Sequence, residues 1–245
     1  MWFFRNKLLF GSLIFTIISS FFVSEIGIDE NLWPISVIFM LFIAAPSFKA
    51  LVKLYKKKGV LAILFLSIFA VSIESFAIVT GFPYGSFSYG SGLGPKVFDL
   101  APPAIFLAWV PMVIGALESV KYYLGQKYLI PLTAVFLVIA DLVIDPGAYA
   151  LGIWIWHTPG FFYGVPLQNF FGWLLSGLLG VSILIKTLGG SFSQKSSSAL
   201  QLSFLYTIAF WTGIAFFKDL YLPLVIGVAV CILILNSIIK AQNQQ

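Results

Sequence analysis

Apolar runs of about twenty residues, the length an α-helix needs to cross a bilayer, recur along this chain from residue 8 to residue 239. Nothing else in the sequence restricts the fold as strongly. In hydrocarbon every backbone amide and carbonyl must find its partner within the protein, which leaves helices and closed barrels. Barrel strands show short segments of alternating hydrophobicity, and this chain has none. Composition agrees: 60% of the 245 residues are hydrophobic and 9% are charged, where soluble domains carry about 25% charged residues. The expected fold is all-α, a polytopic transmembrane helical bundle of about eight spans, forming one integral-membrane domain over residues 1–245.

The expected span cores are 8–24, 32–52, 60–80, 100–120, 128–150, 167–186, 200–217 and 220–239. Arg5 and Lys7 ahead of the first run would also suit a signal peptide. No small-residue cleavage site follows, and Glu25 begins a short acidic loop, so a retained span is expected. The cations test the count. With the N-terminus inside, Arg5, Lys7, Lys49, Lys53, Lys56, Lys57, Lys58, Lys121, Lys127, Lys186, Lys195 and Lys240 share one side, leaving Lys96 and Lys218 on the other. Such a bias marks the cytoplasmic face. A multi-pass protein of the cell membrane with both termini cytoplasmic is expected. The net charge of +5 belongs to these loops and gives no reason to expect a nucleic-acid partner. The single Cys231 has no intramolecular disulfide partner. Residues 189–199, GGSFSQKSSSA, read as a flexible linker. No internal repeat stands out. Spans 1, 2, 7 and 8 carry few polar groups, so the chemistry is expected within residues 74–180.

Three acids interrupt the apolar pattern there. Glu74 falls near the outer end of span 3, Asp141 near the middle of span 5, and Asp145 in its outer half. At about 1.5 Å per residue, Glu74 and Asp145 come to similar depth. Asp141 and Asp145 stand four apart, so a continuous helix puts them on one face. An aspartate in mid-bilayer costs about 3 kcal/mol on insertion scales, and a close pair in low dielectric is expected to keep a proton between them. A held proton that can be given away is what a general acid needs. Pro146 disfavours helical backbone at Asp145. Helix 5 is therefore expected to end or kink there, with 146–166 as an irregular outer-side segment rich in glycine and proline. Blander readings exist for each group. An Asp before Pro often turns a chain end, and buried acids often bond neighbouring helices. His157, the only histidine, has the form of an interfacial anchor as much as a site residue. Trp154, Trp156, Phe161, Phe162, Tyr163 and Trp173 would suit an ordinary aromatic belt.

The stretch GFPYGSFSYGSGLGPKVFDLAPPAIFLAW, residues 81–109, follows no strand and opens no nucleotide-binding helix, so its glycines are not a dinucleotide fingerprint. Its Gly, Ser and Tyr content suggests an ordered outer loop closing over a cavity. Asp99 is expected to open span 4 at the outer interface, with Lys96 within reach to pair with it. One histidine and one cysteine make a histidine-rich di-iron centre a poor fit, and no G-x-S-x-G elbow is present. Asp141-x-x-x-Asp145 resembles one acidic motif of intramembrane prenyltransferases, but the second acidic cluster those enzymes need is missing. A proton-coupled transporter would also place acids in helices, usually with paired broken helices. A non-catalytic pigment-binding protein would use the same aromatic loops.

Taken together, Pro83-Tyr84-Gly85, Leu93-Gly94-Pro95-Lys96, Asp141 through Asp145-Pro146, Trp154 through Trp156, Tyr163-Gly164-Val165-Pro166 and Asn169 with Gly172-Trp173 resemble the membrane carotenoid hydratases. That family includes bisanhydrobacterioruberin hydratases of archaea and carotenoid hydratases of some bacteria. The likeness covers roughly residues 74–180. It implies a carbon–oxygen lyase that adds water to the terminal double bond of an acyclic carotenoid of forty or fifty carbons, leaving a tertiary alcohol. No cofactor is implied, redox or metal. The implied partners are a membrane-embedded carotenoid, water, the lipid bilayer and other carotenoid enzymes. On this reading Asp141, Asp145 or Glu74 gives the proton, and a deprotonated acid or His157 positions the water. Trp154, Trp156 and Tyr163 face the cation, and Tyr84, Lys96, Asp99, Asn169 and Trp173 complete the substrate site. A different carotenoid- or isoprenoid-modifying enzyme, such as a prenyltransferase or cyclase, is the alternative.

Overall fold

The computed structural model describes residues 7–28, 30–192 and 197–243. Among them are eight long helices: α1 Lys7–Ile26, α2 Trp33–Tyr55, α3 Lys57–Thr80, α4 Ile105–Leu124, α5 Leu129–Ala150, α6 Leu167–Leu188, α7 Leu202–Phe217 and α8 Tyr221–Asn243. All eight are long and apolar enough to cross a membrane, counting the short 3-10 turns that lead into α2 and α7. The fold is the expected polytopic helical bundle. Span 4 starts five residues later than expected, because the backbone turns at Pro102 and Pro103 before α4 begins.

Burial divides the helices into two classes. The apolar windows of α4 and the α7 segment are 78% and 72% buried, whereas those of α1, α2 and α3 are 28% buried. The centre is therefore α4 and α7, with α5 and α6 against them and α1, α2, α3 and α8 outside. A helix apolar on every side needs no amphipathic stripe here, because lipid accepts whatever the bundle does not.

Helix 5 departs from expectation at Pro146. It neither ends nor breaks there but runs on to Ala150. A proline removes one helical donor, and a membrane helix tolerates this when its neighbours re-satisfy the freed backbone. The helix stops one turn later at a glycine cap. Gly152 has φ +68°, its N–H donates to Tyr149 O, and Ile153 N–H donates back to Ala148 O. That is the left-handed C-terminal closure for which glycine is preferred.

The loops that follow α3 and α5 pair with each other. β1, Phe87–Tyr89, and β2, Trp154–Trp156, form an antiparallel two-stranded sheet in the register Phe87 with Trp156 and Tyr89 with Trp154. Phe87, Tyr89, Trp154 and Trp156 are buried while Ile155 is exposed. The ribbon thus turns its aromatic face down on the bundle as a cap, where an irregular segment was expected. At the opposite, lysine-rich end, the expected linker is ordered on both flanks, with 3-10 turns at Gly189–Phe192 and Ser198–Gln201. Residues 193–196 lie outside the described residues, as do Arg5 and Lys195.

Candidate active site

Beneath the cap three acids and one amide converge from three helices. Glu74 comes from α3, Asp141 and Asp145 from α5, and Asn169 from the first turn of α6. They are 5%, 0%, 1% and 2% exposed. Asn169 ties the α5 pair together: its Nδ2 donates to Asp141 Oδ2 at 2.8 Å and to Asp145 Oδ2 at 2.6 Å. Helical spacing explains the shape, since positions 141 and 145 share a face and one amide carries two hydrogens. The Oδ1 atoms of both carboxyls are buried and have no hydrogen-bond partner. Among the described residues no lysine or arginine forms an ion pair with Glu74, Asp141 or Asp145. Three carboxyls in low dielectric without a cation cannot all be ionised.

Glu74 is held separately. Tyr89 Oη donates to Glu74 Oε2 at 3.0 Å, and Lys96 fixes the strand by donating Nζ to the Tyr89 carbonyl at 2.5 Å. Burial, with Glu74 beside it, holds the Tyr89 phenol well above its ordinary value of 10.0, so it stays a hydrogen donor. Tyr84 is likewise buried and held protonated, first by desolvation and then by Glu74. Its ring lies against Gly172, where a Cβ would stand 2.4 Å from Tyr84 Cδ1. Only glycine lets α6 come that close.

Glu74 opens onto a cavity. A small chamber of about 40 Å³ is lined by Glu74, Met112, Ile144 and four tryptophans, Trp109, Trp154, Trp173 and Trp211, among others. Trp109 reaches it because α6 carries Gly180 at the crossing, where a Cβ would stand 2.3 Å from the indole. Ile105, Ala108, Trp154, Thr207 and Trp211 form a partition, and on its far side lies an apolar cavity of about 820 Å³.

The structure distributes the expected site residues unevenly. Glu74, Asp141, Asp145, Asn169, Tyr84, Trp154 and Trp173 lie together under the cap. Trp156 packs on Phe87, ring centroids 5.0 Å apart, and is a cap residue outside the chamber wall. Lys96 acts through the Tyr89 backbone. Asp99 does not open α4. It sits in an exposed turn, Val97–Asp99, at φ +58°, ahead of the backbone turn at Pro102 and Pro103 that delays the helix, and makes no ion pair with Lys96 among the described residues. His157 is exposed, with Nδ1 2.8 Å from Ser86 Oγ, at the outer margin of the ribbon. Tyr163 is half-buried, and its hydroxyl accepts from Leu222 N–H at 3.3 Å, in the first turn of α8. Trp109, Thr207 and Trp211 were missed. The last two lie in a span with no charged residue, and nothing in its sequence distinguishes a tryptophan facing a chamber from one facing lipid. Among the described residues no group of three His, Cys, Asp or Glu side chains could hold a metal ion.

Comparison with known proteins bears on what this site handles. The family described as carotenoid biosynthesis protein matches residues 34–234. The bisanhydrobacterioruberin hydratase of Haloarcula japonica is 38% identical over 156 residues, which cover 60% of this chain and 52% of that protein. The chain thus spans about half the length of this relative. No solved structure matches.

Proposed function

Since this chain belongs to the carotenoid biosynthesis protein family, the match covering most of its length, we propose that it hydrates the terminal carbon–carbon double bond of an acyclic carotenoid, with Glu74 as the acid. The relative named as a hydratase supports the reaction class. One observation carries the assignment of the acid: Glu74 is the carboxyl that faces both a chamber and a wall of tryptophans.

The steps follow from this geometry. The Glu74 carboxyl gives its proton to the less substituted alkene carbon, and a tertiary cation forms on its neighbour. Trp154, Trp173 and Trp211 present π faces, and each desolvated cation–π contact contributes about 2 kcal/mol. The chamber of about 40 Å³ has room for a water or two. Water oxygen attacks the cation, and its surplus proton returns to the Glu74 carboxylate, so the acid is regenerated and no electrons are exchanged. Tyr89 holds the carboxyl in place and steadies the carboxylate left after proton transfer. The Asp141–Asp145–Asn169 unit lies close enough for Asp145 and Glu74 to interact electrostatically. It acts as a negative field behind the cation, preorganised before reaction.

The test is pigment mass spectrometry in hosts that make forty-carbon and fifty-carbon acyclic carotenoids. A mass gain of one water per end, labelled from heavy-isotope water and not from oxygen gas, is expected with the wild-type chain and lost with Glu74→Gln. Unchanged pigments, with the protein present in the membrane, would rule the hydratase reading out.

A further inference from the structure

Beyond the reacting end, a carotenoid has a long inert chain that must lie somewhere. We propose that it lies in the groove between α1 and α2, entered sideways from lipid, with the end group turned in past Trp154 and Trp211 toward Glu74. This rests on Glu74 marking the reacting end.

Consecutive helices joined by a short connection ordinarily pack on each other. Here α1 lies along α7, and α2 lies on α3, α4 and α7, while α1 and α2 stand apart. Their contact is aromatic: the Phe15 ring meets Phe39 at 6.2 Å and Phe42 at 5.2 Å. The space left between them is the cavity of about 820 Å³, whose floor is formed by Leu107, Ala108, Phe210 and Trp211 of the two central helices. It extends from Lys7 and Leu8 at one end of α1 to Ile26 and Ile28 at the other. The 20 residues of α1 make that about 30 Å at 1.5 Å per residue. A groove this long and narrow, apolar but for Lys7 and a few hydroxyls, suits a linear polyene better than a compact terpene.

The wall shared with the chamber fixes the direction. The partition of Ile105, Ala108, Trp154, Thr207 and Trp211 belongs to both cavities, so a chain in the groove has one end at this wall, with Glu74 behind it, and runs away toward Lys7. Its far end then lies near the lysine-rich face, beside Gly11. A Cβ added at Gly11 meets nothing within 4 Å, so a large side chain there would fill the groove from its far end without disturbing the bundle.

The test is binding, which needs no turnover. The visible circular-dichroism band of a bound polyene is titrated on purified protein with a full-length acyclic carotenoid and a half-length polyene bearing the same end group. Gly11→Trp is expected to lower the ratio of full-length to half-length affinity at least tenfold. Ser36→Trp, nearer the chamber end of the groove, is expected to weaken both ligands. Leu179→Trp, on an exposed face of α6 away from the groove, should leave the ratio at its wild-type value. An unchanged ratio in Gly11→Trp overturns the proposal, as does equal weakening of both ligands by that variant, or tight lipid retained in the groove that polyene does not displace. Binding with the expected length dependence but no hydration would leave the groove standing and refute the reaction.

Discussion

Two buried acid sites sit at opposite ends of the same bundle, and they are built on opposite rules. At the lysine-rich end, Glu118 of α4 is 2% exposed. Lys121 lies 3.9 Å from its Oε2, and its Oε1 accepts from the Ser197 amide at 3.1 Å. Lys121 also donates to Phe192 O at 2.9 Å, and Ser47 Oγ donates to Leu200 O at 2.7 Å. Charge is balanced by charge, and the effect is to fasten the α6–α7 connection to the bundle. Under the cap, three carboxyls share one amide and one phenol, with no cation among the described residues and with a chamber in front. A buried charge whose partner is present is a structural fastening. Acids left without a counter-ion in a membrane protein, facing space, are candidates for chemistry.

The largest expected effect sharpens that contrast most. Glu74→Gln keeps the shape and the Tyr89 contact but removes the transferable proton. Turnover should fall by roughly 10² to 10⁴, the range general acid catalysis supplies, with folding judged intact by thermal unfolding in detergent. Wild-type turnover in this variant would reduce the Glu74 cluster to the same structural status as Glu118. Next comes Asn169→Leu, which takes away the donor shared by Asp141 and Asp145. Hydrogen bonds to charged groups are worth about 1.5–3 kcal/mol. Turnover should drop about tenfold or more, and thermal stability should fall as well. A loss of stability with full turnover would show that the aspartate pair is a brace and no part of the catalytic field.

A smaller effect is expected at Tyr89. Tyr89→Phe removes one hydrogen bond to Glu74, worth about 1 kcal/mol, and turnover should decline about fivefold. The same variant has a pH signature. The folded protein keeps the Tyr89 proton that an unfolded chain gives up near pH 10. Stability from this group is therefore complete below pH 10 and lost as pH rises beyond it. Tyr89→Phe should reduce the alkaline loss of stability, leaving the part due to Tyr84, whose phenol is held up in the same way. An alkaline limb identical to wild type would mean that the cap is open to water at Tyr89.

Much of this was legible in the sequence for a simple reason: lipid demands helices, and length then counts them. The nearness of Glu74 to Asp145 could be read because rise per residue is fixed, and the pairing of Asp141 with Asp145 because helical spacing is fixed. Three features were not legible. Pro146 reads locally as a stop, yet the helix runs on to Ala150. The ribbon of Phe87–Tyr89 with Trp154–Trp156 joins segments far apart in the chain, and three-residue strands leave little periodicity to detect. The alternation in Ser86-Phe87-Ser88-Tyr89 was the available signal. Trp211 and the α1–α2 groove stayed hidden because an apolar residue facing a cavity and one facing lipid obey the same solvation rule.

The smallest effect on turnover belongs to the other half of the comparison. Glu118→Gln retains an acceptor for the Ser197 amide and removes the charge opposite Lys121. Polar contacts between membrane helices contribute about 1 kcal/mol each, so a modest fall in thermal stability is expected. Turnover should stay within about twofold of wild type, since Glu118 does not line the chamber. Limited proteolysis at the α6–α7 connection gives an independent readout, with faster cleavage in the variant. Should turnover instead collapse while the connection stays protected, Glu118 would belong to the reaction, and the distinction between paired and unpaired acids would fail in this bundle.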